Sequence, residues 1–128
     1  MHLTRIHHIA IICADYAVSK DFYVNKLGLQ ILQETFREER QSYKLDLAVN
    51  NLYQIELFSF PAPPTRPSQP EARGLRHLAF AVTDLEAAVT ELNQKNIFTE
   101  PIRTDALTGK KFTFFRDPDN LPLELYEE

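Results

Sequence analysis

The sequence predicts an α+β fold made of two copies of one βαβββ unit, and three observations carry that expectation. Two amphipathic helical segments each follow a short apolar strand. Each helix is in turn followed by three strand-like runs. The elements then recur in the same order at a nearly constant offset, which marks an internal repeat.

The second helix has the clearer pattern. Asp84 is placed as its N-cap, and Leu85, Ala88, Val89 and Leu92 fall at i, i+3, i+4 and i+7. The first helix starts at Asp15, puts Val18 and Phe22 on one side and stops at Gly28. The preceding strands are expected at 8–13 and 77–82. After the first helix, strands are expected at about 30–37, 43–49 and 53–60; after the second, at about 98–104, 111–116 and 121–126. Between the copies, residues 61–74 carry five prolines, Pro61, Pro63, Pro64, Pro67 and Pro70. Proline has no N–H to give a ladder, so this stretch reads as a stiff extended connector, long enough to cover a pocket. The chain is too short for two independent cores. Residues 1–128 are therefore expected to form one domain, with module one at about 5–60, the connector at 61–74 and module two at about 75–128.

Composition narrows the function classes. Eighteen acidic against fourteen basic residues give a net charge of −4. No basic block stands out, so a nucleic-acid surface is not suggested. The longest apolar stretch, 9–14, is far short of a membrane span. No secretory leader pattern is visible, and the single cysteine, Cys13, excludes an internal disulfide; both favour a cytoplasmic protein. Cys13 is expected to pack inertly under the first helix.

The repeat also carries chemistry. His8-Ile-Ala-Ile-Ile-Cys-Ala-Asp15 parallels His77-Leu-Ala-Phe-Ala-Val-Thr-Asp84, each running from a histidine through an apolar strand to an aspartate seven residues on. The offset is 69 positions for both the histidines and the aspartates. Ile55-Glu56-Leu57 likewise parallels Leu123-Glu124-Leu125 at an offset of 68, one loop residue fewer. Side chains alternate along a strand, so His8 shares a face with Ala10 and Ile12, while Ile9, Ile11 and Cys13 form the bulkier face that suits a helix. His77, Ala79 and Ala81 repeat the pattern. Glu56 and Glu124 sit opposite the apolar faces of their strands, among aromatic neighbours, where an ionised carboxylate calls for a compensating cation. Taken singly, each histidine reads more simply as a hydrogen-bonded core residue and each glutamate as solvent-facing. Recurrence at matching positions in both halves makes coincidence the weaker account. Two imidazoles and two carboxylates suit one borderline divalent ion, Ni, Zn, Co, Mn or Fe, with positions to spare for substrate oxygens. His7 and His2 have no repeat partners and are expected to be exposed.

At these residues the chain resembles the vicinal oxygen chelate superfamily, the group of glyoxalase I, bleomycin-resistance proteins and extradiol dioxygenases. The resemblance spans nearly the whole length. It rests on His8-Ile-Ala-Ile, Phe22-Tyr23 through Leu27-Gly28, Ile55-Glu56-Leu57, His77-Leu-Ala-Phe, and Asp117-Pro118-Asp119-Asn120 followed by Leu123-Glu124-Leu125. It implies tandem βαβββ modules whose curved mixed sheets enclose a metal, and a homodimer in which the site is often shared between subunits. The order His, Glu, His, Glu is that of bacterial glyoxalase I. By that resemblance His8, Glu56, His77 and Glu124 are the metal ligands, and Glu124 or Glu56 doubles as the catalytic base. The implied activity is that of a lyase or isomerase on a small α-oxo or α-hydroxy carbonyl substrate, through a metal-held enediolate. One departure concerns the substrate: bacterial glyoxalase I has a glutathione-holding arginine four residues after the first ligand, where this chain has Ile12. Arg37, Arg40, Arg103, Lys110 and Lys111 are candidates for other anion contacts, although each reads more simply as a solvated charge. Two alternatives stand beside the lyase. One is an iron-dependent extradiol-type dioxygenase in which Glu56 is not a ligand. The other is a bleomycin-resistance-type binding protein gripping its ligand with Phe58, Phe60 and Phe114.

Overall fold

A computed structural model describes residues 1–128. The chain divides into two compact units, Met1–Thr65 and Arg66–Glu128. Each holds a four-stranded mixed sheet and a helix, the α+β architecture expected from the repeat.

In the first unit, β1 (Ile9–Cys13) leads into α1 (Tyr16–Lys20), then β2 (Gln30–Arg37), β3 (Ser42–Val49) and β4 (Leu52–Ser59). The sheet order is β1-β4-β3-β2, with β1 parallel to β4 and the other pairs antiparallel. Asp15 caps α1 by accepting from the Val18 amide at 3.1 Å. The expected single helix changes pitch at Asp21 and continues to Lys26 as a wider π-helical segment. This departs from the regular spacing used to place Val18 beside Phe22: Phe22 and Tyr23 are buried, whereas Val18 is exposed. Gly28, at φ +80°, supplies the left-handed residue that ends the segment. The core gathers Ile11, Cys13, Phe22, Tyr23, Leu45, Leu47, Ile55 and Leu57. Cys13 is buried as expected, its thiol donating to the Phe58 carbonyl at 3.3 Å.

The second unit repeats the order: β5 (Leu78–Val82), α2 (Leu85–Gln94), β6 (Arg103–Thr104), β7 (Lys111–Arg116) and β8 (Pro122–Glu127). Its sheet runs β5-β8-β7-β6, again with only the first pair parallel. Leu85 and Leu92 are buried and Ala88 and Val89 half-buried, as the periodicity requires. Leu121, Leu123 and Leu125 form the buried face of the last strand. The strand expected at 98–104 shrinks to two residues. Pro101 has no amide to donate, and only Glu100 reaches β7 beforehand, its N–H meeting the Phe114 carbonyl at 2.9 Å. Asn120 takes the left-handed backbone at φ +66°, and Asp117 Oδ1 accepts from the Asp119 and Leu121 amides at 2.9 Å each.

The α2 cap gives a direct stability test. Asp84 accepts from the Ala87 amide at 2.9 Å. Asp84→Ala is expected to cost about 1 kcal/mol, read as a lower urea midpoint with an unchanged denaturation slope.

Candidate metal centre

The two βαβββ units place their histidine and glutamate by the same device. Parallel pairing sets Ala10 of β1 opposite Glu56 of β4, and Ala79 of β5 opposite Glu124 of β8. Each histidine lies two residues before that alanine, just ahead of its strand and on the same face. The alanine leaves the space through which imidazole and carboxylate meet. His8 Nε2 lies 3.4 Å from Glu56 Oε2, and His77 Nε2 lies 3.0 Å from Glu124 Oε2. Both carboxylates are buried, at 8% and 9% exposure, so neither is an ordinary solvated surface charge. The four candidate ligands come together as these two pairs. No group of three or more His, Cys, Asp or Glu side chains suited to a metal converges within the chain.

The donor set fits a divalent ion. Bonds of about 2.1 Å to nitrogen and oxygen separate neighbouring donors by about 3.0 Å in an octahedral shell and about 3.4 Å in a tetrahedral one. Each pair therefore already has the bite of one ion, offering the imidazole nitrogen and carboxylate oxygen that borderline metals take.

The halves differ in what surrounds the pair. Across the β3–β4 ladder Asp46 faces Glu56; across β7–β8 the matching residue is Phe114. Lys44, two residues before Asp46, corresponds to Phe112. Lys44 Nζ lies 3.2 Å from both Asp46 Oδ1 and Glu56 Oε1, and the Tyr53 hydroxyl donates to that same Glu56 oxygen. Burial pushes the Glu56 carboxyl up, but Tyr53, Lys44 and His8 outweigh it and hold the group below its ordinary range. Lys44 is shifted upward, first by its hydrogen bond to Asp46 and, despite desolvation, also by Glu56. Tyr53 is likewise pushed up, by burial and then by its bond to Glu56. Glu56 is thus anchored through Oε1 and presents Oε2 to His8. Glu124 lies among aromatics, its one ion pair being with His77, whose ring meets Phe114 edge-on at 5.1 Å between centroids.

The histidines are also held differently. His7 Nδ1 lies 2.8 Å from His8 Nδ1, and the His7 ring meets both His8 and Tyr53 edge-on. That contact lets Nδ1 of His8 carry a proton and leaves Nε2 as a lone-pair donor facing Glu56. His77 Nδ1 is buried without a hydrogen-bond partner.

Sequence reasoning missed His7, Lys44, Asp46 and Tyr53. His7 is exposed as expected, but its contact with His8 is local and has no counterpart in the repeat to signal it. Tyr53 would lie on the opposite face from Glu56 by strict alternation. A register shift, in which Ile55 pairs with Leu47 but Tyr53 with the very next residue, Ala48, resets the faces at Gln54. Asp46 and Lys44 share a parity that the strand pattern did contain, and only the strand pairing shows they face Glu56.

No helix is long and apolar enough to cross a membrane. Over all 128 residues the chain is 70% identical to the uncharacterized protein YwkD of Bacillus subtilis (strain 168), covering 100% of both chains. It is 61% identical over 126 residues to the uncharacterized protein YaeR of Escherichia coli (strain K12), covering 98% of each. A crystal structure of a glyoxalase family protein from Enterococcus faecalis superposes with a TM-score of 0.90 at 51% identity, covering 99% of this chain and 100% of that one. The model of one family, the Glyoxalase/Bleomycin resistance protein/Dioxygenase superfamily, matches residues 5–125. The repeated histidine–glutamate geometry sits inside that match, and the chain belongs to this superfamily.

Proposed function

We propose that this protein is a metal-dependent lyase or isomerase of glyoxalase I type, acting on a small α-oxo or α-hydroxy carbonyl compound. Members of the superfamily typically bind a divalent metal and act on or bind small molecules, often as dimers. The observation that carries the finer reading is one His–Glu pair, repeated in the same register in both units at 3.4 and 3.0 Å. In this proposal His8 and Glu56 of one copy meet His77 and Glu124 of a second copy. A divalent ion bound by the four would supply Lewis acidity toward two adjacent substrate oxygens.

The chain's own residues do the rest. Glu56, clamped by Tyr53 and Lys44, is a fixed ligand rather than a mobile base. Glu124 lacks that clamp and faces Phe114, so its carboxylate is the one placed to take the proton next to the carbonyl and return it to the neighbouring carbon. Phe112 and Phe114, half-buried and in edge contact with each other, give that transfer an apolar wall. The test is to strip the purified protein of metal and reload it with Ni, Zn, Co, Mn or Fe. Elemental analysis then reads the metal bound, and NMR in D₂O reads exchange of the substrate's α-proton across a panel of α-hydroxy and α-oxo carbonyl compounds. Exchange that depends on the metal is expected. Its absence with every metal across the panel would sink the proposal.

One observation favours a second reading. Lys44 beside Glu56 partly neutralises that carboxylate, as suits an iron-dependent oxygenase whose ligands are the other three residues. Oxygen uptake with catechols after anaerobic Fe(II) loading would select this reading over the lyase.

The contact between His7 and His8 yields a separate prediction. His7→Ala is expected to weaken metal binding by about 10- to 100-fold while leaving the fold intact, measured by competition with a chromophoric chelator.

A further inference from the structure

The second unit holds a cavity of about 230 Å³ whose charge is opposite to that of the chain. Four arginines, Arg66, Arg76, Arg103 and Arg116, line it with only two carboxylates, Glu71 and Glu100, although the protein as a whole carries −4. The two carboxylates offset two of the four guanidinium charges, Glu71 lying 3.5 Å from Arg76 and Glu100 3.4 Å from Arg103, and leave the other two in excess.

The wall is built, not incidental. The connector supplies it: Arg66 donates from Nε to Ser68 Oγ at 2.9 Å and from its terminal nitrogen to the Leu75 and Arg76 carbonyls. Ser68, itself buried, donates to the Asn120 carbonyl at 3.0 Å and so fastens the connector to the turn before β8. Arg103 sits over Phe112 and Phe114, with its guanidinium carbon 5.0 and 5.6 Å from the ring centroids, which holds its charge at the cavity wall. The same cavity is bounded by His77, whose Nε2 faces Glu124.

We infer that this cavity is an anion subsite that takes the carboxylate or phosphate group of a small molecule. A guanidinium excess matches either oxyanion through paired N–H donors. The volume is below the roughly 300–1,000 Å³ of pockets for drug-sized ligands, which suits a single oxyanion group. Anion binding here stands by itself; that the anion belongs to the substrate rests on the function proposed above, since His77 is shared.

The test uses the full-length protein freed of metal by chelation and titrated calorimetrically with inorganic phosphate, with glycolate and with glycerol. Saturable binding is expected for at least one anion and none for glycerol, and the arm that saturates identifies the oxyanion. Arg103→Gln and, independently, the exposed Arg116→Gln are each expected to weaken it about 10- to 100-fold by removing a charge-assisted hydrogen bond, with unchanged circular dichroism. Failure of both anions to saturate, or wild-type affinity in both variants, overturns the inference. Metal content measured after reloading a portion of each preparation separates the two ideas: protein that reloads metal yet binds neither anion loses only the subsite.

Discussion

Glu124→Gln is expected to lower metal-dependent α-proton exchange by about 10²- to 10⁴-fold, the usual contribution of a general base, while retaining most of the bound metal. The amide keeps a carbonyl oxygen that can stay near the ion but has no basicity with which to accept the proton. Glu56→Gln is expected to fail differently. Glu56 Oε1 is engaged by Lys44 and Tyr53, so replacing the carboxylate removes one of the two counter-charges of a half-buried lysine and leaves a single carbonyl oxygen, already held by Tyr53, in place of the oxygen that faced His8. The expected result is loss of metal first and of exchange as a consequence. Elemental analysis and exchange rate on the same two variants read this split. Equal loss of metal in both, or full exchange in Glu124→Gln, would contradict the assignment of roles. The prediction depends on the unequal surroundings of two glutamates at equivalent register positions: Asp46 and Lys44 beside one, Phe114 and Phe112 beside the other.

That inequality also marks how far the sequence could be read. The two histidines, the two glutamates and the face each pair shares followed from alternation along strands, because β1 and β5 alternate regularly between a less and a more exposed face and β8 is regular. The strands at 30–37 and 111–116 have the bounds their apolar runs suggested. Periodicity failed where the backbone left a regular repeat. The π-helical stretch at Asp21–Lys26 exposed Val18, Pro101 dissolved most of a strand, and the shift at Gln54 turned Tyr53 toward Glu56. Lys44 and Asp46 were hidden for another reason. Their partnership with Glu56 is a cross-strand register, and no pattern within one strand encodes which residue faces it from the next. The arginine-lined cavity was legible as a connector long enough to cover something and, of its four arginines, as Arg103 alone among the candidate anion contacts. Which arginines it gathers depends on the Ser68–Asn120 bond, between residues 52 positions apart.

Two inactive variants are expected to restore each other when mixed. One chain carries His8→Ala with Glu56→Ala and keeps the C-terminal pair; the other carries His77→Ala with Glu124→Ala and keeps the N-terminal pair. Each variant by itself has no complete set of four donors in any assembly, so metal binding and exchange are expected to vanish. If the centre joins an N-terminal pair from one copy to a C-terminal pair from another, a mixed dimer contains one intact centre and one doubly broken one. Random exchange of subunits makes half the dimers mixed, so about a quarter of the wild-type centres should return. If all four ligands came from a single chain, every centre in the mixed dimer would still lack two donors and nothing would return. The measurement is metal content and α-proton exchange after subunit mixing, with the dimer fraction followed by sedimentation. Recovery near a quarter would establish that the repeated His–Glu pair acts as half of a shared site. Zero recovery in a dimeric mixture would refute the two-copy centre, even if the four residues proved to be ligands.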